Sequence, residues 1–108
     1  SCRGVRVNAL APRWVASSGL DTYKGPAKAM IPQLAAAVPL KRLATEAEIS
    51  GAVCFLLSEA SAFITGECIK VDGAASLASH VWPVPEHNNA PPFEGFHRAV
   101  TPKILTKE

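Results

Sequence analysis

Residues able to hold a ligand gather where one short apolar run stops. Val5-Arg6-Val7-Asn8-Ala9-Leu10-Ala11 ends at Pro12, and a polar loop bearing Ser17 and Ser18 follows. In parallel α/β sheets, ligands sit beyond the carboxyl ends of strands, where loop amides donate and hydroxyls meet an amide or a phosphate. The same hydroxyls would serve equally to cap a following helix. His80, Glu86 and His87 are titratable neighbours, but their spacing fits no familiar metal-ligand set, and surface hydrogen bonding accounts for them. Cys2, Cys54 and Cys68 are odd in number and form no C-x-x-C pair, so neither a disulfide framework nor a zinc site is expected. Cys54 and Cys68 read instead as small apolar fillers, in a reducing, cytoplasmic compartment.

These residues need elements to position them. A chain of 108 residues suffices for one small domain. Its 48% hydrophobic and 19% charged content suits a folded chain rather than a disordered one. A net charge of +2, with no basic run interleaved with aromatics, argues against a nucleic-acid partner. No apolar stretch is long enough to span a bilayer, so no membrane partner is expected.

The first run, Val5 to Ala11, is apolar except at Arg6 and Asn8, the pattern of a strand covered on both faces. A second run, Ile64-Thr65-Gly66-Glu67-Cys68-Ile69-Lys70-Val71, closes at Asp72-Gly73. A helical segment separates them, so the two strands are expected to lie parallel in one sheet. That helix is predicted over Thr45 to Ser58: Thr45 and Glu48 form a capping box, and Ile49, Ala52, Val53, Leu56 and Leu57 share one face. Its other side, Ser50, Gly51, Cys54 and Ser58, is small enough for a second helix to approach, within one subunit or across an oligomer contact. Between Pro26 and Val38 an Ala-rich stretch interrupted by Pro32 suits a mobile lid better than a core element. From Ser79 onward the prolines exclude long regular structure, while Trp82, Phe93 and Phe96 suggest a tail that wraps and docks.

Ser1-Cys2-Arg3-Gly4 resembles the end of a helix, with Gly in a left-handed cap. A stop signal without a preceding helix, no initiator Met, and two strands that cannot cover their own edges lead us to expect the C-terminal part of a larger sheet. Bare faces at Val5, Val7, Ile69 and Val71 would agree; self-contained burial would mark a small interaction module instead.

The run V-R-V-N-A-L-A-P, then P-L-K-R-L-A-T-E-A-E-I-S-G-A-V-C-F-L-L-S, then F-I-T-G-E-C-I-K-V-D-G-A resembles, in order and spacing, the C-terminal half of a short-chain dehydrogenase/reductase. The likeness covers about residues 3–77. It implies an α/β fold: the C-terminal part of a doubly wound, Rossmann-like parallel sheet over 1–78, with a lid over about 13–44 and a Pro-rich wrapping tail over 79–108. It also implies NADP(H) or NAD(H) as cofactor. Pro12 would line the nicotinamide ring, the Val15 backbone would hold its carboxamide, and Ser17 would occupy the position usually filled by Thr. Residues 18–40 would bind substrate. The family usually has Gly after this proline, and here Arg13 follows; Gly permits torsions and close approach that Arg does not.

The tail, A-S-L-A-S-H-V-W-P-V-P-E-H-N-N-A, is similar to the extension of peroxisomal trans-2-enoyl-CoA reductases and their bacterial relatives. That likeness implies reduction of an enoyl-CoA or related carbonyl substrate, with a small-molecule acyl partner and a homo-oligomeric assembly such as a tetramer. A 3-oxoacyl or alcohol dehydrogenase of the same family is the alternative. The family's glycine-rich loop and Tyr-x-x-x-Lys pair do not occur in this chain: four residues after Tyr23 stands Ala27, and Lys28 is one step too far. No residue of the chain is expected to be catalytic, and the chain alone should be inactive.

Overall fold

The computed structural model describes residues 2–22, 24–95 and 102–105. Two runs form the expected parallel pair, β1 (Ala9–Pro12) beside β4 (Cys68–Val71), in register from Ala9 opposite Cys68 to Pro12 opposite Val71. A second two-stranded parallel pair joins β2 (Val15–Ala16) to β3 (Ala44–Thr45). Together with the helices these give the α/β architecture expected from the sequence.

The ladder is shorter than the apolar run: Val7 still accepts from the Gly66 amide (2.8 Å), but its own amide donates to the Thr65 hydroxyl (3.1 Å) instead of a strand carbonyl. Arg6 donates to the carbonyls of Leu56 (2.9 Å), Ser58 (3.2 Å) and Ile64 (3.0 Å). A guanidinium there satisfies carbonyls that the end of a helix leaves unpaired and complements its dipole. Asn8 bridges the lead-in to β4, donating to Ile64 O and accepting from the Glu67 amide, each at 3.0 Å. The two polar interruptions of the first run therefore fasten it to the end of the long helix and the segment beyond.

That helix, α3 (Glu46–Leu57), begins as the sequence predicts. Thr45 Oγ1 accepts from the Glu48 amide at 3.2 Å, and Glu48 Oε1 accepts from the Thr45 amide at 2.8 Å. Its apolar face is only partly covered: Ile49, Ala52 and Leu56 are half-buried, while Val53, the neighbouring Phe55 and, at 80%, Leu57 are exposed. Nothing lies within 4 Å of the position a Gly51 side chain would take, so no second helix meets the small face among the described residues. Val5 and Val7 are 58% and 70% exposed, and Ile69 and Val71 half-buried. The strand pair is thus not covered on both faces. Cys54 and Cys68 are exposed free thiols rather than buried fillers.

Burial concentrates under the lid instead. α1 (Pro26–Ala29) and α2 (Ile31–Ala37) break at Met30, not at Pro32. Pro32 falls in the first turn of α2, where a missing N–H costs no intrahelical bond. Ile31 of α2 packs with Ala16 of β2 and with Leu43 as a buried cluster, flanked by Trp14, Leu20, Leu34 and Ala35. Ile104 and Leu105 close the same cluster from the chain's far end, beside a fully buried Pro102.

Residues 79–95 carry no helix or strand. Trp82 is 81% exposed and Phe93 49%, so aromatic burial does not hold this segment; Phe96 lies outside the described residues. Backbone groups hold it. Arg42 Nε donates to Ala90 O, Thr45 Oγ1 to Phe93 O (2.6 Å), and the Phe93 amide to Glu48 Oε2 (3.3 Å).

Candidate functional site

β1 and β4 end side by side, and the chain turns sharply at both ends. At the end of β4, Asp72 accepts from the amides of Ala74 (2.9 Å) and Ser76 (3.2 Å). Hydrogen bonding by Ser76 holds the Asp72 carboxyl below its ordinary pKa. Gly73 follows at φ +57°, and a side-chain carbon built there would sit 2.7 Å from Val38 Cγ1. Only Gly permits both the torsion and the approach. This contact seats the end of the lid on the end of the sheet.

At the end of β1, Pro12 is exposed as the last ladder residue. The Arg13 amide continues the ladder pattern, donating to Val71 O at 3.3 Å. The left-handed torsion expected from the family's Gly falls one residue later, at Trp14, φ 58°. Arg13 therefore replaces Gly without taking up a strained backbone. Its guanidinium lies over the Trp14 ring, 4.9 Å from the centroid, a cation–π arrangement that orders the side chain.

Trp14 O then accepts from the Ala44 amide at 3.0 Å, which opens the β2–β3 ladder with Val15 opposite Ala44. In a parallel ladder the residue opposite such a bond turns its own N–H and C=O to the other side. The Val15 peptide consequently points away from β3. Ser17 is half-buried, and its carbonyl accepts from the Leu20 amide at 3.0 Å, opening a short 3-10 helix over Ser18–Thr22. The Ser18 amide donates to Glu46 Oε1 at 3.0 Å. Pro12, Val15 and Ser17 thus succeed one another along one short path at the sheet's end.

A cavity of about 310 Å³ opens at these strand ends, lined by Arg13, Arg42, Glu48, Lys70, Asp72 and Gly73 among others. Its lining includes one ion pair that the sequence pattern did not reveal. Arg42 grips Glu48 in a two-pronged contact, Nη1 to Oε1 and Nη2 to Oε2, both 2.7 Å. Partial burial works to raise the Glu48 pKa. The Arg42 hydrogen bonds and charge and the amides of Thr45 and Phe93 outweigh it, lowering the value to about 2. The T-x-x-E spacing reveals the cap, but Arg42 sits in a loop where no periodicity marks its partner.

Among the described residues no cluster of three His, Cys, Asp or Glu side chains is arranged to hold a metal. His87 Nδ1 accepts from the Asn89 amide (3.2 Å), so Nε2 carries the proton it shares with Pro39 O (2.9 Å). Glu86 lies 3.8 Å from Lys41. Tyr23 lies outside the described residues. Pro12, Val15 and Ser17 lie beside the cavity at the sheet's end but are not among its lining residues.

A family model described as enoyl-(acyl carrier protein) reductase matches residues 1–76. The chain is 34% identical over 85 residues to an uncharacterized oxidoreductase of Mycobacterium tuberculosis, covering 79% of this chain and 32% of that protein. It is 37% identical over 67 residues to an acetoacetyl-CoA reductase of an Acinetobacter species, covering 62% and 26%. The ligand-free aldohexose dehydrogenase of Thermoplasma acidophilum superposes with a TM-score of 0.62 at 28% identity, over 75% of this chain and 34% of that one. The chain spans about a third or less of the length of these proteins.

Proposed function

The chain belongs to the short-chain dehydrogenase/reductase family, and from that premise we propose that it forms the nicotinamide end and lid of an NAD(P)(H)-dependent oxidoreductase. The substrate in this reading is an enoyl-CoA or a related carbonyl compound. The observation that carries it is the Val15 peptide turned away from β3, between an exposed Pro12 and a half-buried Ser17. A carboxamide needs one donor and one acceptor, and that peptide offers both. Pro12 offers a flat apolar surface to the ring, and Ser17 a hydroxyl beside it.

When bound, the nicotinamide supplies the hydride. The chain's own residues orient the ring at the sheet's end and, through the lid, keep water from the substrate. None of them moves a proton in this reading. The bare face of β1 and α3 is where the family's remaining sheet would pack, and the outer edge of β4 with α3 would be the contact surface of a homo-oligomer. Residues 79–95 serve as a strap outside the Rossmann-like unit.

The family model's description and the V-P-x-H-x-N tail support enoyl reduction; the likeness to an acetoacetyl-CoA reductase favours 3-oxoacyl reduction as the second reading. The test uses the protein expressed from its complete reading frame, with NADPH or NADH and either crotonyl-CoA or acetoacetyl-CoA. Oxidation of the nucleotide by crotonyl-CoA supports the first reading, and turnover of acetoacetyl-CoA alone replaces it with the second. A reading frame lacking a glycine-rich loop and a Tyr-x-x-x-Lys pair overturns both.

A further inference from the structure

Arg13 also forms one wall of a second space, a groove of about 700 Å³ between the end of the lid and the chain beyond β4. Its ionisable lining groups are Arg13, Lys41 and His80; no carboxylate lines it. Trp14, Leu77 and Trp82 supply much of its apolar wall, and Leu77 and Trp82 are 75% and 81% exposed. Large apolar side chains left bare beside cations mark a surface awaiting an occupant with both characters.

The two cations are not equivalent. Lys41 is held from within: its ammonium donates to Ala36 O at 2.7 Å, and its side chain is only 10% exposed. Glu86 lies 3.8 Å from that ammonium and matches part of its charge, so Arg13 is the cation left to a ligand. Arg13 is exposed, makes no ion pair among the described residues, and is ordered by the Trp14 ring beneath it. An ordered guanidinium with unspent donors loses little entropy on gripping a carboxylate or phosphate through two parallel bonds.

We propose that this groove binds an anionic amphiphile, an apolar chain bearing a carboxylate or a phosphate, with the negative group on Arg13 and the chain along Leu77 and Trp82. The inference rests on the proposed function for the ligand's place in a reaction and deepens it. It makes Arg13, at the position where the family usually has Gly, a specificity-determining residue for a charged acyl ligand. It also gives the segment after β4 a role in holding substrate.

The test is calorimetric titration of the protein from its complete reading frame with octanoate, 1-octanol and octanoyl-CoA, with NADPH titrated in parallel. A charge-assisted contact of the usual strength corresponds to a factor of about ten or more in affinity. Octanoate is expected to bind at least about ten-fold tighter than octanol. Arg13→Gln removes that preference while leaving octanol unchanged, Arg13→Lys restores part of it, and Trp82→Ala weakens both ligands. Octanoyl-CoA bound tighter than octanoate, with both weakened by Arg13→Gln, assigns the anion to a carrier phosphate, and the reverse order to a free carboxylate; either supports the site. Equal binding of octanoate and octanol, or octanoate binding insensitive to Arg13→Gln, overturns it. NADPH binding without octanoate binding removes the groove and keeps the cofactor reading; octanoate binding without NADPH binding does the opposite.

Discussion

The strand-and-helix layer and the lid make opposite use of their apolar residues. β1, β4 and α3 have the most regular patterning in the chain, yet Val5, Val7, Val53, Phe55 and Leu57 remain exposed. The lid is broken by Met30 and seeded with prolines and alanines, yet Ile31, Ala16 and Leu43 form the buried cluster. Periodicity records which surface is built to be covered, not whether the same chain covers it. The lid closes on itself and on the distant 102–105 segment; the layer presents a face.

Truncating one side chain in the lid and one on the layer should have very different costs. Ile31→Ala removes a 5%-exposed side chain and is expected to cost about 3 kcal/mol, read as a lower urea midpoint at unchanged slope. A cost under 1 kcal/mol would mean the lid cluster contributes little to stability. The Arg42–Glu48 pair joins the two regions, and acid should loosen it. The folded Glu48 pKa of about 2 lies below the ordinary 4.5. The pair's contribution is therefore complete above about pH 4.5 and is lost as pH falls toward 2. With the Glu48 side chain 20% exposed, that contribution is about 2 kcal/mol after allowance for solvent. Glu48→Gln should flatten the stability profile between pH 5 and pH 2, about the window the shift defines; an unchanged profile would assign the acid sensitivity elsewhere.

Gly73→Ala should cost about 2 kcal/mol, from a left-handed torsion and a crowded contact with Val38. A thermal midpoint equal to that of the parent would show that lid and sheet end do not need this contact. The smallest effect should come from the open face: Leu57→Ala is expected to change stability by less than about 0.5 kcal/mol in the chain alone. In the protein from the complete reading frame the same substitution should cost about 2–3 kcal/mol if that face is covered there. Equal small effects in both would leave the face uncovered and argue against its packing on the rest of the sheet.

The features legible in the sequence are local. The Thr45–Glu48 box needs three residues of spacing, and the turn at Asp72-Gly73 two. The left-handed Gly4, φ 73°, is set by residue type. The features that escape such reading are long-range or conditional. Arg42 meets Ala90 and Pro91, 48 and 49 residues away, through carbonyls that any residue possesses. The family's Gly points to a left-handed torsion at Arg13, but that torsion lies at Trp14, whose side chain accepts Arg13 above it. Pro32 reads as an interruption because its effect depends on which helical turn it occupies. Along the candidate site, the order Pro12, Val15, Ser17 is legible; the direction of the Val15 peptide depends on pairing with Ala44, which no local pattern announces.

The bonds from Arg42 also have a consequence in time. The capping box closes three residues, while the bonds from Arg42 and Thr45 to the segment at 90–93 close loops of 48 or more, a search with a far larger entropic cost. The helix cap should therefore form early and the strap dock late, after the folding barrier. A late-docking strap acts as a latch: Arg42→Ala should speed unfolding much more than it slows folding, so the strap sets how long the folded chain persists.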